Sequence, residues 1–389
     1  MSKLSRILQI KNGKIASREG SLYPIYGGNG IIGFSDDYNY ENVIIIGRVG
    51  ANCGSVHISN GKCWVSDNAL AGLPLNKSND FNYYLLKSIN LNKTQIGSSQ
   101  PLLTQSILNN IDINFPMDFQ TQKSIAKVLS DLDAKIELNN RINRELEAMA
   151  KTLYDYWFVQ FDFPNADGKP YKSSGGKMVY NAELKREIPE GWEVKKLGDY
   201  AAIKKGTLIT ENTADSTGNV KVVSAGIDFS YFHSEANYLA NTITISASGA
   251  NAGFINFWRE PIFACDCTTV RGKNTADTLQ ILGFLKMRQE YLYKQAKGSA
   301  QPHVYPKDIE GLLIPISPIE IIEKYGRIVV PHNDRIANNL KQNQHLTALR
   351  DWLLPMLMNG QVTVRQTHGK LETEERLNMA AEPSVKYGN

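Results

Sequence analysis

Cys265-Asp266-Cys267 is the densest group of soft ligands in the chain, and it lacks the second ligand pair that a tetrahedral zinc site needs. With Cys53 and Cys63 it makes four cysteines, too few for a disulfide framework. All four read as buried or partly buried thiols of a reducing cytoplasm. The six histidines (His57, His233, His303, His332, His345 and His368) are scattered and form no H-E-x-x-H pair. "SSGGKMV" (Ser173 to Val179) has the wrong spacing for a phosphate loop, "YGGNGIIG" (Tyr26 to Gly33) has the spacing of a turn, and no G-x-S-x-G elbow occurs. Nuclease-like Glu-x-Lys pairs (Glu183 with Lys185, Glu193 with Lys195) are expected by accident at 21% charged residues. An amino methyltransferase would need an Asn/Asp-Pro-Pro-aromatic grip on its amine, and none is present. No catalytic set and no metal site emerge, and the chemistry that remains is that of a binding module.

The module is written twice. "LSRILQIKNG" (Leu4 to Gly13) resembles "LGDYAAIKKG" (Leu197 to Gly206) at an offset of 193, and "GRVGANCGSV" (Gly47 to Val56) resembles "SASGANAGFI" (Ser246 to Ile255) at 199. Asp67 falls opposite Asp266 at the same 199, and "GSSQP" (97–101) returns as "GSAQP" (298–302) at 201. "KIELNNRINRELEAM" (Lys135 to Met149) returns at 200 as "RIANNLKQNQHLTAL" (Arg335 to Leu349). An offset that drifts only from 193 to 201 over five matches in order is a tandem duplication.

Each copy opens with short strands and turns, such as "VIIIG" and "TITIS" between Gly and Asn residues. Each then passes through a Pro-bearing exit, "INFPMDF" or "LLIPISPIE", which is a helix-start signal. Beyond it the period changes. Ile125, Leu129, Leu132, Ile136, Asn139, Asn143, Leu146, Ala150, Leu153 and Trp157 alternate by four and three, the mark of a helix packed lengthwise on another. In copy two the seam is Ile336, Asn339, Asn343, Leu346, Arg350, Leu353 and Leu357, with Arg350 where Ala150 stands and Pro331 upstream predicting a kink or break. The seams are expected to bury each other. An antiparallel pairing brings Asn139, Asn143, Asn339 and Asn343 together, where polar residues reject slipped registers. The competing arrangement points these Asn residues to solvent and packs each stripe on its own globular half.

The fold class is therefore α+β: two similar strand-rich domains with short helices, separated by two long helices in an antiparallel coiled coil. The expected divisions are 1–117 (first domain), 118–162 (first long helix), 163–187 (a Gly/Ser/Lys/Pro-rich linker), 188–316 (second domain), 317–362 (second long helix) and 363–389 (a polar tail). The 389 residues are 42% hydrophobic, enough for real cores, and no run approaches the ~18 apolar residues of a membrane span. The net charge of +4 permits nucleic-acid binding without establishing it.

The chain resembles the specificity (S) subunits of Type I DNA restriction-modification systems. The resemblance is carried by "IAKVLSDLDAKIELNNRINRELEAMAKTLYDYWFVQFDF" (Ile125 to Phe163), "IPEGWEVKKLGD" (Ile188 to Asp199) and "RIANNLKQNQHLTALRDWLLPMLMNGQV" (Arg335 to Val362). It spans essentially the whole chain short of the tail. Two departures stand out: no "PEGW" precedes Leu4, and copy two reads "PIEIIEKYG" where copy one has the Gln-bearing "DFQTQKSIA". The resemblance implies a non-catalytic subunit whose two domains are target-recognition domains, each reading half of a bipartite double-stranded DNA target, with the helix pair as a ruler for the unread spacer. It implies two methyltransferase subunits modifying adenine with S-adenosylmethionine, and two restriction subunits using ATP and Mg, all cofactors lying on those partners and none in this chain. It also implies a cytoplasmic protein without membrane contact.

Recognition domains diverge, so contact residues are chosen by chemistry: polar and basic side chains on Gly-rich loops. In copy one these are Lys11, Lys14, Arg48, Asn52, Ser98, Ser99 and Gln100. In copy two they are Lys204, Lys205, Asn251, Arg271, Lys273, Ser299, Gln301 and His303. Arg suits guanine and Asn or Gln adenine. Two modules reading different bases should differ where they read, so the shared "GAN" and "GS-QP" segments read as turn architecture or common phosphate contacts. Arg48 and Arg271 are then the better base readers. Two other functions stay open: a duplicated coiled-coil adaptor joining protein partners without base-specific reading, and a fused restriction-methylation enzyme, which the missing motifs disfavour.

Overall fold

The computed structural model describes residues 2–16, 19–76, 78–93, 101–116, 118–215, 217–296 and 302–364. The chain forms two compact units, Met1–Glu137 with Asn343–Asn389, and Leu138–Gln342. The polar tail expected over 363–389 lies, from residue 365 on, outside the described residues.

In the first unit a six-stranded sheet runs, in spatial order, Leu8–Asn12, Ala69–Pro74, Tyr40–Gly47, Val56–Val65, Tyr23–Gly27 and Gly30–Ser35. Pairing is antiparallel except where Tyr23–Gly27 joins Val56–Val65 in parallel, at Ile25 opposite Trp64. The run "VIII" explains the central strand. Side chains alternate between sheet faces, so Ile44 and Ile46 enter the cluster of Leu8, Leu85, Leu108 and Leu129. Val43 and Ile45 face Cys63, Val65 and Ala71.

The second unit repeats this order as Ala202–Lys205, Cys267–Arg271, Thr242–Ser246 and Ile255–Trp258, all antiparallel. A separate three-stranded sheet holds Tyr231–His233, Val220–Val223 and Ile262–Ala264. The long strand Val56–Val65 thus corresponds to two shorter ones, Ile255–Trp258 and Ile262–Ala264, divided at Arg259-Glu260-Pro261. Proline has no N–H for a ladder, which explains the division. The parallel pairing survives it, with Val222 opposite Phe263. On the central strand Thr244 replaces an isoleucine, and its buried hydroxyl accepts a bond of 2.8 Å from Trp258 Nε1.

Two long helices follow the sheets, Phe119–Tyr154 and Ile319–Met358. Asp118 Oδ2 caps the first, accepting from the Thr121 N–H at 2.7 Å. Their pairing is antiparallel within each unit. In the first unit Ile125 and Leu129 share a core with Leu357 and Met358, and Arg350 Nη1 meets Asp133 Oδ1 at 2.6 Å. In the second, Asn139 Nδ2 donates to Gln342 Oε1 at 2.7 Å, Asn339 Nδ2 donates to Asn143 Oδ1 at 2.8 Å, and Trp157 packs on Tyr325. Asn139, Asn143 and Asn339 are buried, which sets aside the arrangement with solvent-facing amides. Gln342, which the asparagine pattern did not single out, joins Asn139 in this polar group. Ile125, Leu129 and Ile336 are each buried in their own units, while Leu132, Ile136, Leu146, Leu153, Leu346 and Leu353 are half-buried.

The expected break near Pro331 does not occur, since one helix spans Ile319–Met358. A proline inside a helix costs ~3 kcal/mol in isolation, but its neighbours are held. Val329 and Ile336 are buried, and Asn333 is bonded to both Arg259 and Asn241.

The first helix ends in a wider turn over Asp155–Val159 and enters an aromatic cluster. Phe158, Phe161 and Phe163 all pack on Trp192, the tryptophan of "PEGW". Phe161 adopts φ 64°, a left-handed conformation costing roughly 1–2 kcal/mol, which burial of its ring offsets. The segment read as a linker carries structure of its own. Asp162 accepts from the Ser173 N–H and hydroxyl, and Met178–Asn181 pairs with Arg186–Pro189.

Candidate nucleic-acid interface

Among the described residues the twice-written Gly-Ala-Asn segment takes the same turn in both units. In the first, strand Tyr40–Gly47 leads into a 3-10 turn, Gly50–Asn52, with Gly50 at φ 71° and Gly54 at φ 85°. Only glycine adopts such angles without strain. The Gly54 N–H donates to Gly47 O, Cys53 N–H to Gly50 O, and Ser55 N–H to Asn52 O. The second unit repeats each bond: Gly253 to Ser246, Ala252 to Gly249, and Phe254 to Asn251. The chain just after "GS-QP" then pairs with this turn. Leu103 N–H donates to Arg48 O, and Val304 N–H to Ala247 O. The repeated Gly-Ala-Asn turn is therefore a joint with the segment that follows Pro101 or Pro302, which accounts for its likeness in two modules.

Around that joint the structure gathers part of the expected set. The Gly13 N–H donates to Ala69 O and the Arg48 N–H to Asn68 O, so Lys14 and Arg48 flank the same end of strand Ala69–Pro74. Lys11, Lys14 and Asn52 are exposed, and Arg48 is half-buried. Arg48 Nε is a buried donor without a partner among the described residues. In the second unit the Gly206 N–H donates to Cys267 O, and Ser246 pairs with Cys267, which puts Lys205 at the same sheet end as the Gly249–Asn251 turn. His303 bridges Ser248 and stacks on Tyr305 with ring centroids 5.8 Å apart. Asn251 is half-buried, while Lys204 and His303 are exposed.

Arg271 and Lys273 stand apart. Arg271 closes the other end of strand Cys267–Arg271, roughly 13 Å along it at the usual rise. Its Nη1 donates to Leu239 O and Thr242 Oγ1, both at 3.1 Å. Ser98, Ser99, Gln100, Ser299 and Gln301 lie outside the described residues. Sequence reasoning passed over Ser248, whose hydroxyl donates to Asp266 Oδ2 at 2.7 Å inside the joint. The Asp67/Asp266 match was the available signal.

The cysteines are scaffold groups. All four are free and buried. Cys53 Sγ donates to Arg48 O at 3.2 Å, and Cys265 Sγ to Ile209 O at 3.3 Å. Burial pushes the Cys267 thiol up to about 12, so it carries no thiolate at neutral pH. Among the described residues no group of three or more His, Cys, Asp or Glu is placed to hold a metal ion. None of the described helices is long and apolar enough to cross a membrane.

A family model described as "Type I restriction modification DNA specificity domain" matches residues 1–148 and 189–348, one match per copy. The chain belongs to this family. The specificity subunit of Type I restriction enzyme MjaIX of Methanocaldococcus jannaschii is 31% identical over 74% of this chain and 70% of its own length. That of the HindI enzyme of Haemophilus influenzae is 24% identical over 67% and 71%. Among solved structures, the crystal structure of the Type I S subunit from M. genitalium shares the fold, with a TM-score of 0.64, 21% identity, and coverage of 92% of this chain and 95% of that one. As a member of the family, the chain is a DNA-recognition subunit and not a catalyst. The α+β architecture with paired long helices is the one its residues had suggested.

Proposed function

We propose that the chain reads a bipartite double-stranded DNA target, one half with residues 1–117 and the other with 188–316. The helices of 118–162 and 317–362 fix the unread spacer between them, with 163–187 linking the copies. Carrying the reading is the duplicated joint, which sets Lys14, Arg48 and Asn52 in one unit, and Lys205, Asn251 and His303 in the other, at one sheet end. Lys14 and Lys205 suit phosphate, while Arg48 and His303, which differ between copies, suit base edges. Lys11 and Lys204 extend the basic strip, and Arg271 and Lys273 would contact DNA only beyond the joint. In this reading the chain acts in the cytoplasm and directs two adenine methyltransferase subunits, with restriction subunits joining them. S-adenosylmethionine, ATP and Mg belong to those partners. Genome-wide adenine-methylation mapping, with the methyltransferase present and this chain present or absent, tests the proposal. A two-part motif that depends on the chain is expected, and methylation that ignores the chain would refute it.

A further inference from the structure

Ile15 and Leu208 are the two most exposed large hydrophobic side chains among the described residues, at 81% and 82%. They occupy the same place in the two copies, two residues beyond Gly13 and Gly206, which match at the offset of 193. Scattered surface aliphatics need no explanation, but an aliphatic exposed to the same extent at the same place in both copies does.

The backbone holding each one is pinned. In the first unit the Lys14 N–H donates to Val65 O, and Lys14 O accepts from Trp64 Nε1 at 2.9 Å. In the second the Thr207 N–H donates to Ala264 O, and Ile209 O accepts from Tyr231 Oη at 2.8 Å and from Cys265 Sγ. The preceding glycines allow this close approach. A Cβ on Gly13 would lie 1.8 Å from Ser66 O, and one on Gly206 2.1 Å from Cys265 O. The backbone next to each aliphatic side chain is thus tied to the sheet, and the side chain itself stands exposed.

Their surroundings indicate the occupant. Lys11 and Lys14 precede Ile15, and Lys204 and Lys205 precede Leu208, all exposed. Lysine is depleted at the apolar centres of protein–protein interfaces. An aliphatic side chain among lysines is instead the composition of a DNA contact, in which the cations hold phosphates and the apolar group meets bases. Both residues follow the strand that ends beside the Gly-rich joint.

We propose that Ile15 and Leu208 are equivalent apolar base-contacting residues, one for each half of the target, meeting either a thymine methyl or the face of a partly opened base step. The inference rests on the DNA-reading function above and deepens it. Its test uses the full chain with its methyltransferase. Ile15→Ala and Leu208→Ala should each weaken binding to the mapped target duplex roughly tenfold and relax base preference in one half-site only. Ile15→Leu and Leu208→Ile should retain both properties, and melting should be unchanged because the side chains are exposed. Thymine-to-uracil replacement in the affected half-site separates the two contacts: sensitivity assigns the methyl, whereas insensitivity with 2-aminopurine brightening that the alanine variants lose assigns the opened step. Unchanged affinity and motif would overturn the inference, as would loss of methyltransferase co-purification with DNA contacts intact, which would make the residues a protein-docking point. If the unaltered chain directs methylation to no target, the DNA-reading function itself fails, an outcome distinct from either.

Discussion

Removing one amide from the buried Asn143–Asn339 pair tests whether polar residues inside the helix pair are satisfied and consequential. Both side chains are nearly inaccessible, at 7% and 3%, and Asn339 Nδ2 donates to Asn143 Oδ1 at 2.8 Å. Asn339→Ala leaves that acceptor buried without its donor. Stranding a buried polar group costs about 1–3 kcal/mol. For a unit of this size each kcal/mol moves the melting midpoint by ~2–4 °C, so about 2 kcal/mol gives ~4–8 °C. Replacing both residues, as in Asn143→Leu with Asn339→Leu, removes both polar groups together and is expected to be near neutral. Calorimetry on the full chain, following the transition of the unit Leu138–Gln342, would give the four corners of the cycle. A coupling of ~1 kcal/mol or more is expected. A shift below ~1 °C for Asn339→Ala, or strictly additive single changes, would refute the reasoning.

Three further outcomes follow from other contacts and from the length of the helices. Arg350→Ala breaks an ion pair with Asp133 whose side chains are only 21% and 29% exposed, and should cost about 2 kcal/mol, less than a fully buried pair, read as the urea midpoint of the first unit. Asp162 is held below the usual carboxylate range because bonds from Ser173 outweigh burial. Its contribution is therefore present above its unfolded value near pH ~4 and lost as pH falls through the lower folded value, so acid unfolding monitored by tryptophan fluorescence should be less steep in Asp162→Asn. Deleting seven residues from each long helix removes ~10 Å of helix, and methylation mapping should show the unread spacer shortened by ~3 base pairs.

The repeat was legible because turns at φ near 70–87° admit little but glycine, so Gly50, Gly54, Gly249 and Gly253 keep their places while strand residues drift. The Asn143–Asn339 contact was legible because polar residues on an otherwise apolar seam must face one another. Gln342 was not, since its backbone sits on the exposed flank and only its long side chain reaches Asn139. Continuity through Pro331 was hidden for a different reason: Arg259 and Asn241, distant in sequence, hold Asn333 from outside the helix. Arg271 was grouped with the loop residues because strand register is invisible in a single sequence, and pairing of Ala202 with Arg271 sets it at the far end. The exposure of Ile15 and Leu208 is likewise a property of packing, not of pattern.

The two copies also differ in how each sheet is tied to its helix, and the difference bears on their function. Residues 133 and 333 are equivalent at the offset of 200. Asp133 accepts from Tyr84 Oη at 2.7 Å and from Arg350, so a short helix and both long helices meet at one carboxylate. Burial raises the Tyr84 hydroxyl further from ionisation, with Asp133 adding to it, which keeps the phenol a donor at any physiological pH. Asn333 instead accepts from Arg259 Nε at 2.9 Å, and Arg259 also pairs with Glu147 at 3.0 Å. The same helix position thus anchors the sheet-bearing part of each unit with a different set of partners. A helix segment slipped by one turn, or exchanged for its counterpart, would leave a half-buried charge unpaired, a penalty that opposes sliding. The helix pair proposed to fix the spacer would need such stops, because an apolar seam alone tolerates more than one register.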